Sequence, residues 1–357
     1  MLKSIKQTIL RSLRTAGVFE RMRSSGWRRK RLAILCYHGI ALDDENEWNH
    51  SLYLAPAEFR ARMQTLRLHG YTVLPLADAV ERLRNGTLPS AAVAITLDDG
   101  TFDFYAGALP ILRELDLPST VYQRTDWCGA DKTPVSLMLA YLFWKRRGNT
   151  FDLRDLVGCD ADLTTLQGRN TAWTTAIDFI RLRRLSDGDQ QQLVETVAGR
   201  LGIDYAALRA RRLLQIMSPG EVAAAAAAGV GIELHTHTHR CSLDREQFCA
   251  DISENRKHIV RITGVEPRHF CYPSGVWRPQ FLPWLSSLGV ISATTCEPAL
   301  ATRRGNPLLL PRFIDTGFQS VLEFESWLTG ASTLLPRNFW YYRRKRRWQN
   351  RIEPLYG

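Results

Sequence analysis

Along the body of the chain, short apolar runs alternate with longer stretches in which apolar residues return every three or four positions. The runs are "RLAILCYH", "YTVLP", "AAVAITLDD", "STVYQ", "GVGIELH", "HFCYP", "VISATT" and "LLLPRF". Their length and their β-branched and aromatic content predict strands. Between them, "PAEFRARMQTLRLHG", "GALPILRELDL" and "REQFCADISENRKHIVRITG" read as helices. In the last of these, Phe248, Ile252, Ile259 and Ile262 recur near the helical period, and Gly264 closes the element. "MSPGEVAAAAAAG" predicts a helix capped by Ser218, opened by Pro219 and completed as a capping box by Glu221, ending at Gly229. Strands alternating with helices imply an α/β fold with helices outside a mostly parallel sheet, and this many units predict a distorted (β/α) barrel of seven or eight parallel strands. The rhythm breaks from about Gly129 to Ile216, which reads as a helical insertion between two strands. No internal repeat or low-complexity linker interrupts the rest.

Composition narrows the class. The chain has 357 residues and 45% hydrophobic content, ordinary for a globular protein. No apolar run approaches the roughly 18 residues of a membrane-spanning helix. The first 31 residues lack the continuous apolar core and small-residue cleavage site of a secretory signal, so an unexported protein is expected. Seven cysteines, at 36, 128, 159, 241, 249, 271 and 296, are odd in number and form no C-x-x-C pair, which fits reduced thiols in a cytosol. The net charge of +11 is concentrated at the ends: ten Lys/Arg against one Glu over residues 1–31, and seven against one over 337–357. The body, 32–336, is therefore mildly acidic, and no basic groove for nucleic acid is predicted.

"GVGIELHTHTH" packs three of the eight histidines into five positions. Were the strand to continue extended, His235 and His239 would lie about 13 Å apart, too far for one metal ion. If the chain curls as it leaves the sheet, the pair closes to about 5–6 Å between Cβ atoms and can share a metal. A solvent-facing strand end is the competing reading. A partner carboxylate would decide between them, and "AVAITLDDGTFDFY" offers one: an apolar strand runs directly into Asp98 and Asp99, whose side chains point to opposite faces. Asp-Gly is also a common turn pair. Two histidines and one carboxylate with open positions form a catalytic rather than a structural metal set.

These residues resemble the polysaccharide deacetylases, also called carbohydrate esterase family 4 or the nodulation-type deacetylase homology domain, over roughly His38 to Phe313. The family's T-F-D-D-G is similar to "TLDDG", Thr96 to Gly100, and its H-[S/T]-x-x-H to "HTHTH". "LPILRELDLPSTVY", "FCYPSG" and "LLLPRF" sit where the family has similar phrases. The resemblance implies Asp98 as catalytic base, with Asp99, His235 and His239 as ligands of a divalent metal, zinc first and cobalt or nickel as alternatives. It also implies Thr236 as an orienting hydroxyl, and the backbone amide of Ser274 as oxyanion donor. His237 falls on an unassigned position. The implied reaction is hydrolysis of an N-acetyl group on an amino sugar of a polysaccharide, glycolipid or lipid-linked glycan precursor. A silent glycan-binding protein on the same barrel is the alternative, against which the retention of both acids and both histidines speaks.

Two positions depart from the better-known members. Cys271 stands where their third motif has an Arg that orients the base, which leaves Arg312 to take that role. No histidine follows His269, so the general acid of their late L-x-H motif must come from elsewhere, His38 first and His50 second. Tyr272, Trp127 and Trp277 are candidate sugar contacts. At the start, Ile5, Ile9, Leu10 and Leu13 with interleaved Lys3, Lys6, Arg11 and Arg14 predict a basic amphipathic helix, and "RNFWYYRRKRRWQNR" near the end sets aromatics among cations. Both ends are expected to seek an anionic membrane, placing a cytoplasmic protein peripherally on the inner face of the cytoplasmic membrane. The sequence carries no signal for oligomeric state.

Overall fold

The computed structural model describes residues 2–126, 128 and 133–335. Among the described residues the central sheet has nine strands, of which two are two-residue edges, Thr72–Val73 and the antiparallel Ala301–Thr302; the other seven are β1 (Arg31–Tyr37), β2 (Ala92–Leu97), β3 (Thr120–Gln123), β4 (Gly231–Leu234), β5 (His269–Cys271), β6 (Ser292–Thr294) and β7 (Phe313–Ile314). They pair in parallel in the order β6-β5-β4-β3-β2-β1, and β7 adds in parallel to β1 through Leu35↔Phe313. A parallel bridge between Thr294 and Leu310 draws the edge of β6 towards the chain entering β7, so the sheet curls into a distorted barrel. Alternation along the strands divides two packing layers. Leu35, Ile95, Val121, Ile232 and Phe270 join the main core, whereas Leu32, Ile34, Ala92, Ala94, Tyr122 and Cys271 form a second cluster. The predicted "YTVLP" strand shrinks to Thr72–Val73 beside the start of β2.

The helices follow in chain order. Before β1 come α1 (Leu2–Thr15) and α2 (Val18–Ser24). After β1, α3 (Pro56–Leu68) packs Phe59, Met63 and Leu66 into the main core, while α4 (Leu76–Asn85) sends Leu76, Ala79, Val80 and Leu83 into the second cluster. Because that cluster includes Leu32 and Ala92 near the starts of their strands, α4 closes the barrel at its N-terminal end and leaves the strand C-termini as the open mouth. The insertion between β3 and β4 holds α5 (Val135–Lys145), α6 (Leu166–Arg183) and α7 (Asp187–Arg200) around its own apolar cluster. It also contains an antiparallel hairpin, Thr150–Leu153 with Cys159–Asp162, in what the sequence presents as helical. Next is α8 (Pro219–Ala227), with the Ser218–Glu221 capping box formed, and then α9 (Arg245–Thr263), ended by Gly264 in the left-handed region.

The N-terminal segment docks on the last α-helix among the described residues, α10 (Val321–Thr329). Leu10 is buried with Phe19, Ala331 and Leu335, Lys6 pairs with Glu323, Arg14 pairs with Glu325, and the Gln7 amide donates to Ser320. Buried Arg28 donates to the carbonyls of Leu328 and Ala92, tying this segment to both α10 and β2. The tail predicted at 337–357 lies outside the described residues.

Candidate active site

At the end of β2, the Asp98 amide still bonds the Tyr37 carbonyl of β1, as a strand residue does. Asp99 and Gly100 then both turn left-handed, with φ of 71° and 69°. At Gly100 a Cβ would fall 2.0 Å from the Gln123 side chain, so only glycine fits this turn. The turn sends the two carboxylates apart.

The second half of the site comes from the end of β4. The ladder with β3 stops at Gln123↔Leu234, after which Thr236 and His239 take left-handed conformations, with φ of 62° and 59°. The chain therefore curls after His235 instead of running on extended. The curl brings the His235 and His239 rings to 4.9 Å between centroids, and each Nε2 faces Oδ1 of Asp99, at 3.2 and 3.0 Å. The ligating atoms of Asp99, His235 and His239 all lie within 4.8 Å of one another, and all three residues are buried.

The donor set fits a divalent metal. His235 Nδ1 sits 3.0 Å from the Cys271 carbonyl, a pure acceptor, so the proton belongs on Nδ1 and the Nε2 lone pair faces Asp99. Burial lowers the His239 pKa to about 4, against the pull of Asp99, and keeps that imidazole neutral. For Asp99, burial works to raise the carboxyl, but His239 and His235 outweigh it and hold it well below the usual range. The Thr236 hydroxyl is buried and has no hydrogen-bond partner among the described residues. It makes no orienting contact of the kind the resemblance implies.

Asp98 is equally buried and has different partners. Arg312 grips it with two prongs, 2.7 Å to Oδ1 and 2.8 Å to Oδ2, and anchors itself on the Thr295 carbonyl and the Thr96 hydroxyl. The Cys271 and Cys36 thiols approach Oδ2 at 3.4 and 3.5 Å. The thiol of Cys271, where the resemblance implies an arginine, thus contacts Asp98, and the cation arrives from the chain just before β7. Burial would raise the Asp98 carboxyl, yet the Arg312 charge and hydrogen bonds hold it well below the ordinary range.

His38 follows β1 and is mostly buried, with Nε2 3.9 Å from Asp98 Oδ2. It lines a cavity of about 20 Å³ with Asp99, Thr101, Arg124, Leu52, Leu214 and Ile216, between the barrel mouth and the insertion. His50 is exposed and packs edge-on to Phe318, outside that lining. Ser274 lies in the turn after β5, with φ of 54°. Tyr272, expected to touch sugar, instead belongs to the core: its ring is fully buried edge-on to Phe270 and its hydroxyl donates to the Leu308 carbonyl. Two residues apart on one strand face, Phe270 and Tyr272 both point to the helix layer. Trp277 is half-buried against the main core, and Trp127 lies outside the described residues.

Asp103, Asn255 and Asp251 are among the buried or half-buried polar residues to which the sequence assigned no role. Asp103 accepts from the Thr101 hydroxyl and the Ile40 amide, and burial pushes its carboxyl up to about 8. Asn255 and Asp251 of α9 reach the His235–Thr238 turn. Asn255 carries a readable signal, since it falls in the apolar stripe Phe248, Ile252, Ile259 and is fully buried there.

Comparison with known proteins bears on the fold and on part of the sequence. Residues 181–292 match the sequence profile of the polysaccharide deacetylase family. The chain is 34% identical over 93 residues to a Bacillus subtilis protein, YxkH, named as a polysaccharide deacetylase; the match covers 26% of this chain and spans 31% of that relative's length. The fold is similar to the Streptococcus pyogenes deacetylase PplD in complex with acetate, with a TM-score of 0.55, 16% identity, and coverage of 86% of this chain and 99% of that one. It is also similar to IcaB from Ammonifex degensii, with a TM-score of 0.53, 16% identity, and coverage of 84% and 97%.

Proposed function

We propose that this chain, part of which matches the polysaccharide deacetylase profile, removes N-acetyl groups from amino sugars of a glycan, with a divalent metal as cofactor. The observation that carries the reading is the pairing of two separate carboxylates at one barrel mouth, Asp99 facing two imidazoles and Asp98 held by Arg312. Asp99, His235 and His239 would hold the divalent ion, zinc first and cobalt or nickel as alternatives, which when bound would supply Lewis acidity towards the amide carbonyl and towards water. Asp98, kept ionised and fixed in direction by Arg312, accepts the proton of the attacking water. The Ser274 amide donates to the oxygen that gains charge when the carbonyl carbon becomes tetrahedral. His38, within the cavity and 3.9 Å from Asp98, delivers a proton to the departing nitrogen as the C–N bond breaks. Water's hydroxyl ends on the acyl carbon, and the products are acetate and a free sugar amine.

The substrate we favour is lipid-linked or otherwise membrane-borne, with the protein peripheral on the inner face of the cytoplasmic membrane. Support comes from the basic ends and from the outward side of α1, where Ile5 and Ile9 stay exposed beside Arg11. No helix among the described residues is long and apolar enough to cross a membrane. The testing experiment is acetate release from a panel of lipid-linked and free N-acetylated sugars, with and without added zinc, cobalt or nickel. Metal-stimulated release from any member supports the reading, and none from the whole panel with metal bound overturns it.

A further inference from the structure

Past Leu234 the turn that carries both histidines leaves the β3–β4 ladder, and its backbone contact with the chain after β3 is at the His237 carbonyl, which accepts from the Thr125 and Asp126 amides. Where β4 ends, the buried His235 amide has passed beyond the last β3 pair, Gln123↔Leu234. A buried amide without an acceptor is strongly disfavoured, and left-handed Thr236 and His239 are conformations that side chains with a Cβ resist. Something outside the strand must specify this shape.

Helix α9 supplies it from one face. Asn255 Oδ1 accepts the His235 amide at 3.0 Å, while its Nδ2 donates to the Gln123 carbonyl and to Thr125 Oγ1, both at 2.9 Å. One helical turn earlier, Asp251 accepts the His237 amide at 2.7 Å, the Thr238 amide at 3.2 Å and the Thr238 hydroxyl at 2.8 Å. The two side chains lie at i and i+4, the spacing that puts residues on one helix face. His237 completes the frame. Its Nδ1 meets the same Thr125 hydroxyl at 2.9 Å, its carbonyl accepts the Asp126 amide at 3.0 Å, and its ring stacks on His258 of α9 at 5.2 Å.

We propose that Asn255 and Asp251 are positioning residues: together they take the amides of His235, His237 and Thr238 and impose the curl that brings His235 and His239 onto one metal ion. His237 is a strut of this frame and no ligand. The inference rests on the metal reading above, and outer groups that fix ligand orientation typically contribute 10- to 100-fold in metal affinity.

The test uses the full chain with Asp251→Ala, Asp251→Asn and Asn255→Leu, and Lys257→Ala on the exposed side of α9 as control. Two quantities are read: cobalt(II) affinity with its visible absorption spectrum, and amide hydrogen exchange of the peptide spanning 235–239 in metal-free protein. Asp251→Ala and Asn255→Leu should weaken cobalt binding by on the order of 10- to 100-fold, alter the spectrum and speed exchange in that peptide alone, while Lys257→Ala matches wild type. Asp251→Asn, which keeps one acceptor oxygen, should recover part of the affinity. Wild-type affinity and exchange in Asp251→Ala overturn the proposal, and that half-buried site decides the matter even if Asn255→Leu fails to fold. Should wild type take up no cobalt, the metal reading fails, whereas exchange in the 235–239 peptide still decides whether α9 holds the turn.

Discussion

Arg312 and Asp98 form a two-pronged ion pair inside the barrel mouth, with both side chains shut away from solvent. A buried carboxylate without its partner is costly, so breaking such a pair typically destabilises by about 3–5 kcal/mol. Arg312→Ala is expected to lose stability on that scale in urea unfolding, and Arg312→Lys to lose less while still slowing turnover, because a lysine cannot hold both oxygens. The double variant Arg312→Leu/Asp98→Asn should recover much of the lost stability without recovering activity. Equal stability of Arg312→Ala and wild type would show that the pair is not buried as described. Since the Asp98 carboxyl is depressed in the folded protein, its stabilisation is complete above the ordinary Asp range and is lost only as pH falls through strongly acid values.

The separation of the two carboxylates predicts separable losses. Asp99→Asn, His235→Ala and His239→Ala should each abolish stoichiometric metal and activity, whereas Asp98→Asn should keep the metal and lose activity. Elemental analysis of the purified variants decides it. Metal loss in Asp98→Asn, or full retention in His239→Ala, would reverse the assignment of base and ligand.

If His38 protonates the leaving amine, His38→Ala should bind metal normally and lose roughly 10²- to 10⁴-fold in rate, the usual range for a positioned acid. Substrates with a better leaving group should suffer less. An undiminished rate would return the role to water or His50.

Asp103 gives a pH signature in stability. Burial raises its folded carboxyl to about 8, far above the ordinary Asp value, so the neutral form is the one the fold accepts. Its contribution is fully present below about pH 4 and is lost progressively as pH rises towards 8. Asp103→Asn stays neutral throughout, and its melting temperature relative to wild type should climb between pH 5 and 8. A pH-independent difference would mean that Asp103 is charged in the fold.

Much of this site is written locally in the sequence. The strand runs, the Ser218 cap and the divergence of Asp98 and Asp99 follow from period and turn chemistry, which short windows contain. Contacts across the barrel are different. "TFDL" and "CDAD" form a hairpin although neither has a β-rich run, because the insertion's own core rather than propensity holds them. The helical pattern of α4 is plain at Leu76, Ala79, Val80 and Leu83, but nothing local says that its apolar face enters the barrel. Arg312 could be named as a stand-in for the missing arginine, yet only the fold brings it within reach of Asp98 across 214 positions of chain. Asn255 is the instructive omission, a polar residue in an apolar helical stripe.

Docking of α1 on α10 changes how membrane attachment must be tested. Deleting residues 1–31 would remove Leu10 and Phe19 from a buried cluster and withdraw Arg28 from the carbonyls of Leu328 and Ala92, so lost liposome binding could reflect a damaged barrel. The outward side of α1 offers a cleaner probe. Ile5 and Ile9 remain 44% and 36% exposed, one helical turn apart, while Lys6 and Arg14 are engaged with Glu323 and Glu325. Ile5→Asp/Ile9→Asp should therefore leave the melting temperature nearly unchanged and reduce binding to anionic liposomes. Removing 337–357 should reduce it further, since each basic residue near such a surface contributes about 1 kcal/mol. Salt should mimic the second effect more than the first, because screening acts on charge and not on apolar insertion. With both changes combined, turnover of a lipid-linked substrate should fall while that of a short soluble one holds. Intact protein that ignores anionic liposomes at low salt, or fractionates away from the cytoplasmic membrane, would show that the protein does not work at the membrane surface.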